Sequence, residues 1–229
     1  MKKFLLSLIG MTVMVSTTFA QQSQETDLPC TNLYDKTYFH LSVGLNPVTF
    51  TTSFIGDDLG DKSASFDMTG ISWGLTTGVK MMKTQPFYLE VGAKFMYSFN
   101  NEDEYDYDNT KIYEMKESLF SLNIPVVVTW QAEVTPNVCI APYVGLNMRC
   151  NIFGQSKTEK CVYDYNYEET INWFQNNEGN CNIFNIGLTY GANLTFNRFV
   201  LGLGYTKDFT EFMPDTKIDY FTISAGCRF

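Results

Sequence analysis

The chain has 229 residues, with 16 Lys and Arg against 25 Asp and Glu, and its formal net charge of −9 argues against nucleic acid as a partner. Aromatic residues make up 16% of it, with 19 Phe, 14 Tyr, 16 Gly and a single His, a composition that points to strands more than to acid–base chemistry. The length suits one domain or one barrel.

The first 20 residues have the layout of a secretory leader. Lys2 and Lys3 precede an apolar stretch from Phe4 to about Val15, and Thr18, Phe19 and Ala20 supply a cleavage site after Ala20. The stretch is shorter than the roughly 20 apolar residues of a membrane anchor. No cysteine follows the cut directly, since the first is Cys30, so lipid anchoring is not expected. Loss of Lys2 and Lys3 takes the exported chain from −9 to −11. Residues 21–37 are expected to form an N-terminal periplasmic segment ahead of a barrel over 38–229.

From there the chain alternates with period two, the signature of strands with two unlike faces. Phe39, Leu41, Val43 and Leu45 form one face of the first strand. Ile71, Trp73, Leu75, Thr77 and Val79 follow, then Phe87 through Phe99 at odd positions and Phe120 through Trp130 at even ones. Four more faces come from Pro142, Val144, Leu146 and Met148; from Phe184 to Leu194; from Phe199, Leu201, Leu203 and Tyr205; and from Phe221, Ile223, Ala225, Cys227 and Phe229. That makes eight strands. The opposite faces collect ten of the 16 glycines. Such a face is too small and polar for a dry core, whereas it suits a narrow polar lumen with lipid outside.

The connections alternate in length. Segments 81–86, 131–137 and 195–198 are short, and 49–69, 100–117, 153–182 and 208–217 are long. Outer-membrane barrels have even strand numbers, short periplasmic turns and longer outer loops. The expectation is therefore an all-β, eight-stranded antiparallel up-and-down transmembrane β-barrel in the outer membrane of a Gram-negative bacterium, with both termini periplasmic. Trp73, Trp130, Tyr205 and other aromatics near strand ends fit an interfacial girdle. The inverted arrangement, a secreted lipocalin-like carrier with its apolar face inside, is the soluble alternative.

The charges on the lumen face are expected to form a network of His40, Lys80, Glu90, Lys94, Arg149 and Arg228. His40 lacks the paired serine or carboxylate of a rim active site, and no nucleophile, phosphate-loop or metal-ligand spacing occurs, so no enzyme, cofactor or metal is expected. In the second long loop, Asp103, Tyr105, Asp106, Tyr107 and Asp108 alternate acid with tyrosine, and Tyr163, Tyr165 and Tyr167 repeat the flavour in the third. Tyrosine offers contact area with a polar tip, so these stretches are candidate surface-binding residues for an extracellular ligand or an envelope protein. Six cysteines are scattered along the chain; Cys150, Cys161 and Cys181 flank the third long loop, and a bridge among them is expected there.

The last strand, with Phe221, Ile223 and a final Phe229, resembles the C-terminal signal by which outer-membrane barrels engage their assembly machinery. Three stretches carry a wider resemblance: Leu122 to Val128 with its Ile124-Pro125 step, Ala141 to Gly145, and Ile186 to Ala192 followed by Leu203-Gly204-Tyr205. They resemble the outer-membrane β-barrel domain proteins of Bacteroidota, the PorT-like family. The resemblance covers nearly all of the chain beyond the leader and implies a barrel, outer-membrane lipids and the assembly machinery as partners; that family has no shared catalytic residues to carry over. The function expected is structural or surface-binding, with a lumen too narrow for a wide pore. A small-solute channel or transporter is the alternative.

Overall fold

The computed structural model describes residues 37–54, 62–82, 85–105, 111–162, 165–174 and 181–229. Ten antiparallel strands and no helix occur among them: β1 (Tyr38–Phe54), β2 (Lys62–Lys80), β3 (Phe87–Tyr105), β4 (Lys111–Trp130), β5 (Ala132–Thr135), β6 (Val138–Val162), β7 (Tyr165–Asn172), β8 (Phe184–Phe196), β9 (Phe199–Asp208) and β10 (Thr216–Arg228). Eight of them close a ring in the order β1-β2-β3-β4-β6-β8-β9-β10, and β10 pairs with β1 from His40 opposite Arg228 to Thr52 opposite Thr216. Backbone bonds between Phe39 and Phe229, 3.0 and 2.8 Å, seal the seam at the end of the barrel where the chain ends. Closure matters because an open strand edge in lipid would leave backbone groups with no water to pair with.

The eight expected strands all form, and in the expected order. Two short strands were not anticipated: β5 makes a tight hairpin with β6 inside the segment read as a turn, and β7 folds back along β6. The larger difference concerns the long segments. Those read as loops over 49–69 and 100–117 are mostly strand, with 55–61 and 106–110 outside the described residues. β6 runs 25 residues and ends at Val162, well inside the segment 153–182. The expected leader and nearly all of 21–37 lie outside the described residues.

The reason lies in a reversal of phase along the strands. On β1 the outward side chains Phe39, Val43 and Leu45 are about half exposed, then the outward face turns to Thr49, Thr51 and Ser53. Over the same residues the inward face changes from His40, Ser42 and Asn46 to Val48 and Phe50, both fully buried. β2 mirrors it, with Phe66 and Met68 inward beside Asp67 outward, and Ile71 and Leu75 outward beside Ser72 and Thr76 inward. β10 passes from Ile218 and Tyr220 inward to Phe221 and Ile223 outward. The half of the barrel nearer the chain ends is apolar outside and polar inside, the distribution of a barrel surrounded by lipid. The other half is polar outside with an apolar core, as a protein in water must be. A search for one period-two pattern per strand registers the first half and takes the second for loop.

Val48, Phe50, Met68, Met96, Leu119, Trp173, Phe212, Ile218 and Tyr220 form that core. Phe212 is its centre: it stands edge-on to Phe50 at 5.6 Å and to Trp173 at 5.8 Å, while Phe50 stacks on Phe66 at 4.4 Å. Phe212 enters from the β9–β10 connection because the chain turns back there. Phe212 N donates to Thr216 O at 2.7 Å, and Asp215 takes the left-handed backbone at φ 60° that its short polar side chain tolerates. Each fully buried side chain of this size contributes roughly 1.5–3 kcal/mol of burial free energy.

Candidate functional site

Below the apolar core the lumen is polar. Asn147 Nδ2 donates to Asn123 Oδ1 at 3.0 Å and to Tyr220 OH at 3.1 Å, and Tyr220 OH donates to Asn123 Oδ1 at 3.2 Å. These three line a cavity of about 60 Å³ together with His40, Ser72, Thr76, Glu90, Lys94 and Tyr143. A water needs about 10–15 Å³ on this measure, so there is room for a handful of water-sized groups. Glycines create the space for the large rings beside it. A Cβ on Gly78 would fall within the Tyr38 ring, and Cβ atoms on Gly191 and Gly204 would collide with the Tyr143 hydroxyl.

The floor, at the end where the chain termini meet, is a connected cluster. Arg228 Nη2 donates to Gln131 Oε1 at 3.0 Å, and Gln131 Nε2 donates to Tyr38 OH at 3.1 Å. Tyr38 in turn donates to the Glu90 carboxylate, while the Arg228 guanidinium lies 3.5 Å over the Tyr38 ring. All four side chains are buried. An arginine over a phenol ring gains both cation–π attraction and planar stacking, and here it also brings the cation close to a carboxylate through a single hydroxyl.

Higher on the wall, Arg149 and Asp208 form an ion pair with neither side chain exposed. Asn151 Nδ2 donates to Asn185 Oδ1 at 2.7 Å nearby, and Asn185 Nδ2 donates to the Glu211 carbonyl at 2.9 Å, tying the wall to the connection that carries Phe212.

The six expected lumen charges thus do face inward, but they do not form one network. Glu90 and Arg228 meet through Tyr38 and Gln131, and Arg149 pairs with Asp208. His40 is 6% exposed with its Nε2 unpartnered, and Lys94 has neither an ion-pair nor a hydrogen-bond partner. Lys80 stands further out at the terminal rim, half-buried. Tyr38, Gln131 and Asp208 went unrecognised. Tyr38 and Asp208 sit at the even positions of β1 and β9 that face inward, and extending the alternation by one step before His40 and by two beyond Gly204 would have found them; Asp208 fell instead at the start of the segment read as a loop.

Of the expected surface-binding residues, Asp103 and Tyr105 belong to β3 and Tyr165 and Tyr167 to β7, so they lie on strand backbone and not in loops; their side chains, like Asp106, Tyr107, Asp108 and Tyr163 altogether, lie outside the described residues. Beside them on the outer sheet, Lys157 bridges Glu159 and Glu168, each at 2.9 Å, and its hydrogen bond holds the Glu159 carboxyl below the usual range. Glu117 is pushed the other way, upward, by burial and then by Glu102. Cys150 is a free thiol, so it takes no part in the bridge expected among Cys150, Cys161 and Cys181; the Cys161 side chain lies outside the described residues. Phe221, Ile223 and Phe229 are all exposed on the outward face, and Cys227 there is a free thiol.

No protein-family model matches the sequence, and no curated protein matches it. Among solved structures, the chain is similar to the attachment invasion locus protein Ail of Yersinia pestis in complex with the heparin analogue sucrose octasulfate: 15% identity over 85% of this chain and 99% of that one, with a TM-score of 0.40. Neisserial surface protein A has 13% identity over 83% and 95% of the two chains, at a TM-score of 0.37. The outer membrane enzyme PagL has 11% identity over 82% and 97%, at 0.40. Likeness at this level bears on neither ligand nor activity.

Proposed function

We propose that this chain is a non-enzymatic outer-membrane β-barrel protein, exported by its first 20 residues, anchored by its lipid-facing band, and displaying an acidic, tyrosine-rich sheet extension at the cell surface for binding. The single observation that carries the reading is the double inversion of the strands. Apolar side chains face out over the half nearer the chain ends, and apolar side chains face in over the other half. Only a barrel that passes from lipid into water needs both. A lipocalin-like carrier would have its apolar face inside along the whole barrel.

Tyr38 and Phe229 lie at the end where connections are short, which supports a periplasmic location for the chain ends and an outer one for the extended strands. Outer-membrane lipids and the barrel-assembly machinery follow as partners, the latter through Phe221, Ile223 and Phe229 on the closing strand. The PorT-like resemblance is consistent with such a barrel. As a binding protein it would act through residues 103–108 and 163–169, whose carboxylates and tyrosines suit a basic ligand or partner.

A diffusion pore is disfavoured because the apolar core around Phe212 fills one end of the barrel and the Tyr38 cluster the other. An enzyme is disfavoured because His40, the one histidine, has no hydroxyl or carboxylate bonded to its Nε2 and is buried inside the barrel. Two experiments test the reading. Planar bilayers containing the purified barrel should show no large, steady conductance; open channels of porin size would refute it. Proteoliposomes should bind a fluorescent basic peptide in a salt-sensitive manner and lose most of that binding when 103–108 and 163–169 are replaced by Gly and Ser. Unchanged binding would remove the loops from the function.

A further inference from the structure

We infer that the lumen cavity is a binding site for a small inorganic anion, with the Lys94 ammonium as its counter-charge. Between the apolar core and the Tyr38 cluster, the inward-facing formal charges are Lys94, Arg149 and Arg228 against Glu90 and Asp208. Arg149 and Asp208 neutralise each other in a fully buried pair. Arg228 and Glu90 are joined through Tyr38 and Gln131. One cation is left over. Lys94 lines the cavity, sits between Gly74 and Asn123 on its neighbouring strands, and has no ion-pair or hydrogen-bond partner.

Lys94 is half-buried inside the barrel, where an excess positive charge is stabilised by a negative one nearby. Glu90 lines the same cavity on the same strand, but its carboxylate accepts from Tyr38 and is linked to Arg228 through Tyr38 and Gln131, so the lumen keeps one positive charge in excess. His40 supplies the second observation. It is 6% exposed, lines the same cavity, and its Nε2 has no partner, so it is placed to donate to whatever sits against Lys94. Asn46 Oδ1, 2% exposed and also unpartnered, is an acceptor that the hydration water of an anion satisfies. About 60 Å³ admits a hydrated halide or a small oxyanion and excludes organic solutes of any size.

Electrostatics also sets the side of entry. The outer extension carries the acidic stretches and repels anions, whereas Lys80 stands at the terminal rim. The ligand therefore comes from the side of the chain termini, through opening of the Tyr38 cluster.

Bromide is the probe, applied to the full exported chain in detergent micelles. Crystals soaked in sodium bromide should show an anomalous peak within hydrogen-bonding reach of Lys94 Nζ, and Lys94→Met should abolish it. In solution, amide resonances of Gly74 and Asn123 should shift saturably with bromide at constant ionic strength set by gluconate, and should do so in Lys94→Arg but not in Lys94→Met. Bromide confined to surface sites in the wild type overturns the inference, as does a lumen peak that survives Lys94→Met. Should Lys94→Met fail to fold, Lys94→Gln serves in its place, and the wild-type titration alone still decides the matter, since no saturable shift means no site.

Discussion

Arg149 and Asp208 show how a buried residue pair constrains this barrel. With both side chains fully enclosed, removing one partner strands a charge where water cannot reach it, which costs about 3–5 kcal/mol. Replacing both with apolar groups of similar size is far milder, because desolvation of the two ions disappears together. Arg149→Met and Asp208→Leu should each lower the urea midpoint of unfolding in micelles, while the double variant should recover most of the loss; additive losses would show that the pair is not coupled. Glu117 makes a prediction in pH. Burial, and secondarily Glu102, raise its carboxyl above the ordinary value, so the folded state holds this proton more tightly than the unfolded one. Its ionised form is therefore unfavourable at neutral pH, and that penalty is relieved as pH falls through the raised folded value. Glu117→Gln should accordingly protect the outer sheet from protease at pH 7, with the advantage over wild type fading in acid. An advantage independent of pH would mean that the shift has another origin.

Strands are where the sequence was easiest to read and also where it misled. Eight alternations were legible because Leu, Val, Ile and Phe recur at every second position over the lipid-facing half, and the ring closes in the order that short and long connections require. The outer halves were not legible on that pattern. At Leu45-Asn46-Pro47-Val48 the apolar residues change from odd to even, and a reader following one phase sees the pattern stop. The sign was present in Val48 and Phe50, in Phe66 and Met68, and in Ile218 and Tyr220, each pair one step out of phase with the band that adjoins it. Lumen residues were placed on the correct face by alternation, but their partners were not, because which of several inward charges meet depends on shear and ring closure. Phe212 and Trp173, in irregular segments, had no periodic signal at all. Three arginine substitutions on β1 test the reversal. Val43→Arg faces lipid within the band and should cost about 2–4 kcal/mol. Val48→Arg, one turn of phase later, should disrupt the apolar core, and Thr49→Arg beside it should be tolerated. If Thr49→Arg is the damaging one, the phase does not reverse where the structure puts it.

At the scale of the molecule, strand length separates this barrel from a minimal one. A membrane-crossing strand needs about 9–11 residues. Here β1 has 17 and β6 has 25, so at about 3.3 Å per residue β6 is roughly 80 Å long against an apolar band about 25 Å tall. The excess is the water-exposed extension, with its own core built around Phe212. That core and the lipid-facing band draw on different physics. Lipid holds the band through its outer face, whereas the extension is held from within by hydrophobic burial. Phe212→Ala should therefore cost about 3–5 kcal/mol of local packing and open the extension to protease in intact cells, while the heat-modifiable mobility of the folded barrel persists. Loss of both together would mean that the two halves unfold as one unit.

The most direct test of the inside-out reversal is a nitroxide scan along β1 from residue 39 to residue 53, in a background from which the six native cysteines have been replaced, reconstituted in lipid bilayers. Collision with oxygen should peak at positions 43 and 45. Collision with a water-soluble nickel complex should be high at 49, 51 and 53, and neither reagent should reach 48 or 50. Water accessibility at all odd positions from 39 to 53 would contradict the account, because it would leave no lipid-facing band and no reason for the strands to change phase.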